Sequence, residues 1–328
     1  MDRLWTIYHE HMIDIIEKLA HTSSMQRLKN VGMNCGVEYT KVNIFSMHYP
    51  YSRYDHSVGV ALIIYHFTKD IKQAIAGLFH DLSTPCFAHV IDFLNNDHDI
   101  QESYEYLTKD MIVNDAEIMN ILNSLDIKIE EIADYHQYPI ADNNTPRLSA
   151  DRLEYTLGNM YNYGFVSYED IKMIYDDLYV KNDEIVFRNQ YIAKLFCENM
   201  LKCSKIYICN EDRFCMQFLA DIIKVAINDD IIKKDDLYLD EKALINKLNT
   251  HKKTAKLFNN YCNIKTVYKC TNNEKYCIKV SAKIRYIDPI VNDERYSRLD
   301  ENFNDEIIQL LSTNFDFYLT SVEENMIS

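Results

Sequence analysis

Glycine and proline are both scarce in this chain, at six and five of 328 residues. These residues mark turns and break helices, so their scarcity argues against a turn-rich β-sandwich and for long helices. No apolar run reaches the ~18 residues that a helical membrane span requires, which points to a soluble protein without a membrane partner. The first twenty residues carry Asp, Glu and His among their apolar positions and do not read as a signal peptide. Nine cysteines are present without a Cys-x-x-Cys pair. An odd number without that spacing reads as reduced thiols filling the core of a cytoplasmic protein. Basic stripes interleaved with aromatics are also missing, and the formal net charge is -15. So acidic a surface repels a nucleic-acid backbone, so nucleic acid is not expected as the main ligand. One small phosphate-bearing ligand stays compatible, provided a metal or a local Lys/Arg group reverses the field.

What the chain does have is core material: 47% hydrophobic residues beside 26% charged ones. Helical spacing of apolar residues predicts helices over 4–20, 24–33, 56–69, 71–82, 86–95, 98–111, 114–125, 128–136, 148–162, 167–177, 190–207 and 211–228. Residues 178–188 read as a hairpin around Lys181-Asn182-Asp183-Glu184. Beyond residue 250 the pattern changes. IKTVYKC and YCIKVSAKIRYI look like two strands joined by the polar turn TNNEK. The expected architecture is mostly α, with a helical domain over 1–250 and a small α+β appendage over 251–328.

Four residues stand out chemically. His80 and Asp81 are adjacent at the end of an apolar helix, His56 opens an earlier helix, and Asp151 opens a later one. Imidazole nitrogens and carboxylate oxygens suit a divalent ion such as Mn, Fe, Mg, Zn, Ni or Co, and this donor set does not choose among them. Two His and two Asp leave coordination positions open for water and a phosphate oxygen. Read singly, each of these residues is as well explained by a hydrogen-bonded structural role. The remaining histidines His9, His11 and His136 have no such spacing and read as structural or surface groups. Lys202, Lys205 and Arg213 read as a solvated face.

The ordered set H…HD…D, with SRYDHSVGV around His56, FHDLSTPCFAH from Phe79 and SADRLEY around Asp151, resembles the HD-domain metal-dependent phosphohydrolases. The flanks resemble the deoxynucleoside triphosphate triphosphohydrolase branch and its bacterial relatives. Gln26-Arg27-Leu28, Arg53, and Lys283-Ile284-Arg285-Tyr286-Ile287-Asp288-Pro289 match segments of that branch, over roughly residues 20 to 290. The resemblance implies an HD-domain helical bundle with His56, His80, Asp81 and Asp151 as metal ligands. It implies that His89, Asp92 and His98 line the phosphate side, with Asp92 orienting His98 for proton transfer. It gives Arg53 a phosphate oxygen to grip and Tyr155 a nucleoside sugar to pack against.

Three positions depart from the branch: Thr84 replaces a His, Asn159 an Asp, and Ser24 a residue that is often Gln. The expected activity is hydrolysis of a nucleotide phosphoester or phosphoanhydride, foremost a (deoxy)nucleoside triphosphate triphosphohydrolase-like one. Alternatives are a phosphodiesterase or nucleotidase acting on another nucleotide, and a non-catalytic nucleotide-binding sensor or assembly subunit. Family habit further implies a homo-oligomer.

Overall fold

The computed structural model describes residues 4–95, 97–99, 104–272 and 276–321. At its centre lies helix α1 (Arg53–Thr68), buried without interruption from Ser57 to Ile64. A helix apolar on all sides has to be enclosed by others. Its start is a reciprocal cap: Ser52 Oγ accepts the Asp55 N–H at 3.2 Å, and the Asp55 carboxylate accepts the Ser52 N–H at 3.3 Å. Lys69 ends it in left-handed backbone, φ 57°. Asp70 then caps α2 (Ile71–Phe79) by accepting the Lys72 and Gln73 N–H groups. The two helices lie close because Gly77 has no side chain; a Cβ there would meet Ile64 Cδ1 at 2.2 Å.

Further helices that matter to the site are α3 (Val90–Leu94), α4 (Ala150–Asn162), α5 (Gln190–Tyr207), α6 (Asn210–Asn228), α7 (Glu241–Asn249), α8 (Lys252–Cys262) and α9 (Glu301–Leu311). Two apolar cores result. One gathers α1, α2, α4, α5 and α9; the other gathers α3, α6, α7 and α8. The architecture is mostly helical with small sheets, as the sequence predicts. No helix among the described residues is long and apolar enough to cross a membrane.

The strands are β1 (Leu178–Lys181), β2 (Glu184–Phe187), β3 (Val267–Cys270), β4 (Ile290–Val291), β5 (Glu294–Arg295) and β6 (Tyr318–Ser321). The predicted hairpin is present as β1 and β2, turning through Asn182 and Asp183, both at positive φ. One sheet runs β1-β2-β4-β5, with β4 parallel to β2; the other pairs β3 with β6.

The second expected hairpin is corrected here. β3 pairs with the C-terminal β6, and the stretch after Tyr276 contributes a single bridge, Ile278 to Leu319. Of the turn assigned to TNNEK, residues 273–275 lie outside the described residues, as do 100–103 of the helix expected at 98–111. Residues 280–288 run extended because their hydrogen bonds go elsewhere. Val280 O accepts from Arg213, and the Asp288 N–H donates to Pro146 O at 2.9 Å. That path carries residues 282–286 along a cavity wall. The segment beyond residue 250 thus packs into both cores.

Other expected helices also shift. The one at 4–20 breaks at extended His9 into Trp5–Tyr8 and Asp14–Ala20. The one at 128–136 is two short 3-10 turns. Helices α7, α8 and α9 were not anticipated from apolar spacing. The Asp240 and Asp300 side chains that cap α7 and α9 were their local signal.

Candidate metal centre

Three helices bring the expected ligands together. His56 lies one turn into α1, His80 and Asp81 end α2, and Asp151 lies in the first turn of α4. His56 Nε2 is 3.2 Å from His80 Nε2 and 3.1 Å from Asp151 Oδ1, and His80 Nε2 is 3.8 Å from that oxygen. Asp81 Oδ2 faces His80 Nε2 at 3.6 Å and His56 Nε2 at 3.9 Å. A cation ~2.1 Å from each donor places neighbouring donors ~3.0–3.4 Å apart and opposite donors ~4.2 Å apart. The separations among His56, His80 and Asp151 fall in that interval, so these three donors suit a divalent ion, and Asp81 stands beside both imidazoles.

The surrounding groups fix the donors' orientation. His80 Nδ1 hydrogen-bonds Gly77 O at 2.7 Å, which places the proton there and turns Nε2 toward the cluster. His56 Nδ1 meets Glu154 Oε2 at 2.6 Å, and Tyr51 donates to the same oxygen. Sequence reasoning missed Glu154. Its signal is the spacing to Asp151, three positions along α4, which puts both on one face. Asp81 accepts from Arg53 at 2.9 Å through Oδ2 and from Thr84 at 2.9 Å through Oδ1. Buried Arg53 therefore pairs with Asp81 in a salt bridge.

Burial pushes the carboxyls of Asp81 and Asp151 upward, but the cations around them win. Arg53, His80 and His56 hold Asp81 well below the usual carboxylate range, and His56 and His80 do the same for Asp151. For His56, burial favours the neutral ring, yet hydrogen bonds to Asp151 and Glu154 outweigh it and raise the imidazole to about 10. A ligating imidazole has to be neutral, so binding a cation releases that proton. Affinity for Mn2+ is therefore expected to climb with pH across 6 to 9. Calorimetry at pH 7 in two buffers of different ionisation enthalpy should report about one proton released per cation. A buffer-independent heat would contradict this account.

The other expected site residues separate. His89 immediately precedes α3, and its Nδ1 bonds Asp92 Oδ2 at 2.9 Å. Phe87 and Ala88 before it both adopt left-handed backbone, φ 60° and 46°. Such a pair costs on the order of 1–3 kcal/mol per residue and persists because the packing fixes it. Burial first, then Arg285 and Arg53, lower the His89 imidazole to about 4, so it is neutral near pH 7. His98 turns toward other groups. It stacks on Phe93 at 5.1 Å, and its Nε2 lies 3.2 Å from Ser281 Oγ. Tyr155 lines the cavity, 6.5 Å from the His56 ring.

That cavity, about 440 Å³, opens on the cluster and is walled by Arg152, Lys283, Arg285, His136 and Asn159 among others. His136 is exposed at the cavity rim beside Asp134 and Asp142, as the surface reading has it. One expectation changes here. Arg213 is buried at 1% exposure, where it stacks on Phe315 and Phe317. A guanidinium can be enclosed where carbonyls and ring faces take its donors and charge, a context its neighbours in sequence do not show.

No protein-family model matches the chain. It is 29% identical over 249 residues to the uncharacterized protein YdhJ of Bacillus subtilis, covering 75% of this chain and 74% of that one. It is 22% identical over 174 residues to the metal-dependent phosphohydrolase cns2 of Cordyceps militaris, covering 52% and 48%. Its fold matches a phosphohydrolase from Bacteroides thetaiotaomicron with a TM-score of 0.62 at 16% identity, covering 93% of this chain and 94% of that one. It also matches a hypothetical protein from Aquifex aeolicus with a TM-score of 0.64 at 17% identity, covering 96% and 94%. Sequence similarity to a metal-dependent phosphohydrolase, together with the His–His–Asp group, supports a hydrolase.

Proposed function

We propose that the protein hydrolyses a nucleotide phosphoester or phosphoanhydride, with triphosphate hydrolysis of a (deoxy)nucleoside triphosphate as the foremost form. The observation that carries this reading is the His56, His80 and Asp151 group, with Asp81 beside both imidazoles, at a cavity whose wall also holds Lys283 and Arg285. In a chain of net charge -15, such a local reversal of sign is what an anionic ligand needs. A bound divalent cation would supply Lewis acidity toward a phosphoryl oxygen and toward an attacking water.

The chain's own residues supply the rest. Arg285 Nη2 lies 3.5 Å from His89 Nε2, so a phosphoryl oxygen beside one reaches the other. Neutral His89, held through Nδ1 by Asp92, presents Nε2 as a proton acceptor. Tyr155 offers a ring face between the cluster and the inner cavity. Glu154 and Gly77 keep the two imidazoles aimed, and Arg53 keeps Asp81 ionised.

Phosphomonoester or phosphodiester hydrolysis of another nucleotide is the second reading, and Thr84 favours it. Where the branch it resembles carries a His, this chain has a fully buried hydroxyl committed to Asp81. Thr84 therefore cannot donate a proton to a polyphosphate. The test is a panel of nucleoside mono-, di- and triphosphates and cyclic nucleotides with Mn2+, read for nucleoside, phosphate and tripolyphosphate. Tripolyphosphate release supports the first reading and phosphate or ring-opened product the second. Tight nucleotide binding without any product would favour a sensor.

A further inference from the structure

The turn that presents His89 is strained, enclosed and fastened from far along the chain. Phe87 and Ala88, both fully buried, stand in left-handed backbone immediately before His89. Among the described residues no backbone carbonyl takes the Phe87 N–H, so this enclosed donor needs another acceptor. The segment leading into α7 lies against the turn. The Cys86 N–H donates to Leu237 O at 2.7 Å, and Cys86 Sγ donates to Leu239 O at 2.9 Å. Arg27 fastens both sides, donating to Leu82 O and Thr84 O on one and to Leu239 O on the other.

Glu241 supplies the acceptor. It sits in the first turn of α7 at 3% exposure, and the Phe87 N–H meets its carboxyl. The same carboxyl accepts the Gly32 N–H at 2.8 Å through Oε1 and the Tyr39 hydroxyl at 2.8 Å through Oε2. Tyr39 completes the grip by setting its ring edge-on to Phe87, with centroids 6.1 Å apart. Gly32 in turn bridges Ser52, the cap of α1. One carboxyl thus ties the start of the helix that carries His56 to the turn that carries His89. Among the described residues it makes no hydrogen bond or ion pair with His56, His80, Asp81 or Asp151. A strained pair persists only while its surroundings over-determine it. Without the acceptor, Phe87 and Ala88 are free to relax, and His89 turns with them, away from Asp92 and Arg285.

We infer that Glu241 is a positioning residue: by holding the Phe87 N–H it keeps the strained turn in place and aims His89 into the cavity. This deepens the proposed function and rests on it for the role of His89 as a proton acceptor.

The test compares the full-length protein with Glu241→Leu, which removes the acceptor, and Glu241→Gln, which keeps one oxygen and can donate its amide to the Tyr39 hydroxyl. The first readout is NMR titration of the His89 ring in metal-free protein carrying isotope-labelled histidine, with its signals identified through His89→Gln. In the unaltered protein this ring should gain its proton only near pH 4. In Glu241→Leu a ring turned out of its enclosure should titrate toward the ordinary imidazole value of about 6.5, and Glu241→Gln should behave as the unaltered protein. The second readout is Mn2+-dependent hydrolysis of p-nitrophenyl phosphate. In Glu241→Leu kcat should fall ~10²-fold, the scale of an ~1 Å misplacement, while KM and Mn2+ affinity hold; Glu241→Gln should keep most of the activity. If the leucine form does not fold, Glu241→Asp, whose carboxyl is drawn back by one methylene, takes its place with the same expectations. A substitution that lowers the denaturant midpoint but moves neither the His89 titration nor kcat overturns the inference, because the carboxyl then serves stability alone. Equal losses in Glu241→Gln and Glu241→Leu overturn it as well. A protein that cleaves nothing, yet shows the His89 shift in Glu241→Leu, loses only the hydrolase reading. A protein that cleaves p-nitrophenyl phosphate with His89 unmoved by the substitution loses only the Glu241 assignment.

Discussion

Asp81→Ala is expected to lose both the bound cation and a large part of the protein's stability, whereas Asp151→Ala loses chiefly the cation. Both carboxylates face the same two imidazoles, so removing either opens the coordination sphere. Their other partners differ. Asp81 also neutralises Arg53, whose side chain is 6% exposed and has no other carboxylate in reach among the described ion pairs. Deleting one partner of such a pair leaves an uncompensated buried charge, at a cost of about 3–5 kcal/mol. Asp151 is 20% exposed on the cavity side, where water can replace it, and its loss should cost about 1 kcal/mol. Metal content by elemental analysis and denaturant midpoints of the metal-free forms check the two effects independently. Turnover should fall at least ~10³-fold in both, the scale seen when a group acting in the transition state is removed. Equal destabilisation by the two substitutions would show that Arg53 does not depend on Asp81. Full metal occupancy in either variant would dismantle the assigned cluster.

Glu154 carries the second large effect. Its carboxylate is enclosed at 2% exposure between His56 and Tyr51. Outer partners of metal-bound imidazoles typically account for 10- to 100-fold in metal affinity. Glu154→Gln should weaken Mn2+ binding by about that factor without touching a direct donor. Gly59→Ala makes the same point without changing a polar group. A Cβ at Gly59 would meet Glu154 Cγ and Oε1 at 2.6 Å, and α1 and α4 leave little room for retreat. The methyl group is expected to push Glu154 off His56 and to lower Mn2+ affinity while the helix gains propensity. A folded Gly59→Ala protein with unaltered Mn2+ affinity would mean that Glu154 does not orient His56.

Much of this was written locally. Scarce breakers and apolar spacing specify helices, Ser52 and Asp55 start α1, Asp70 starts α2, and the Asn182-Asp183 turn makes a hairpin. Such features depend on residues within a turn or two of one another, so a single strand of sequence contains them. His56, His80, Asp81 and Asp151 stand out in the sequence for a related reason: the ordered set H…HD…D and its flanks are local patterns of residue type.

What the sequence alone could not decide depends on partners far apart in the chain. Nothing near Arg53 announces that Asp81 claims it, and nothing near His98 announces that it stacks on Phe93 and reaches Ser281. Arg213 reads as a surface cation until Val280, Phe315 and Phe317 close over it. The segment around Lys283 and Arg285 reads as a strand, but its neighbours' hydrogen bonds to Arg213 and Pro146 divert it along the cavity. Burial and long-range hydrogen bonding belong to the packed chain, and they determine which charges are spent on structure and which remain to meet a ligand.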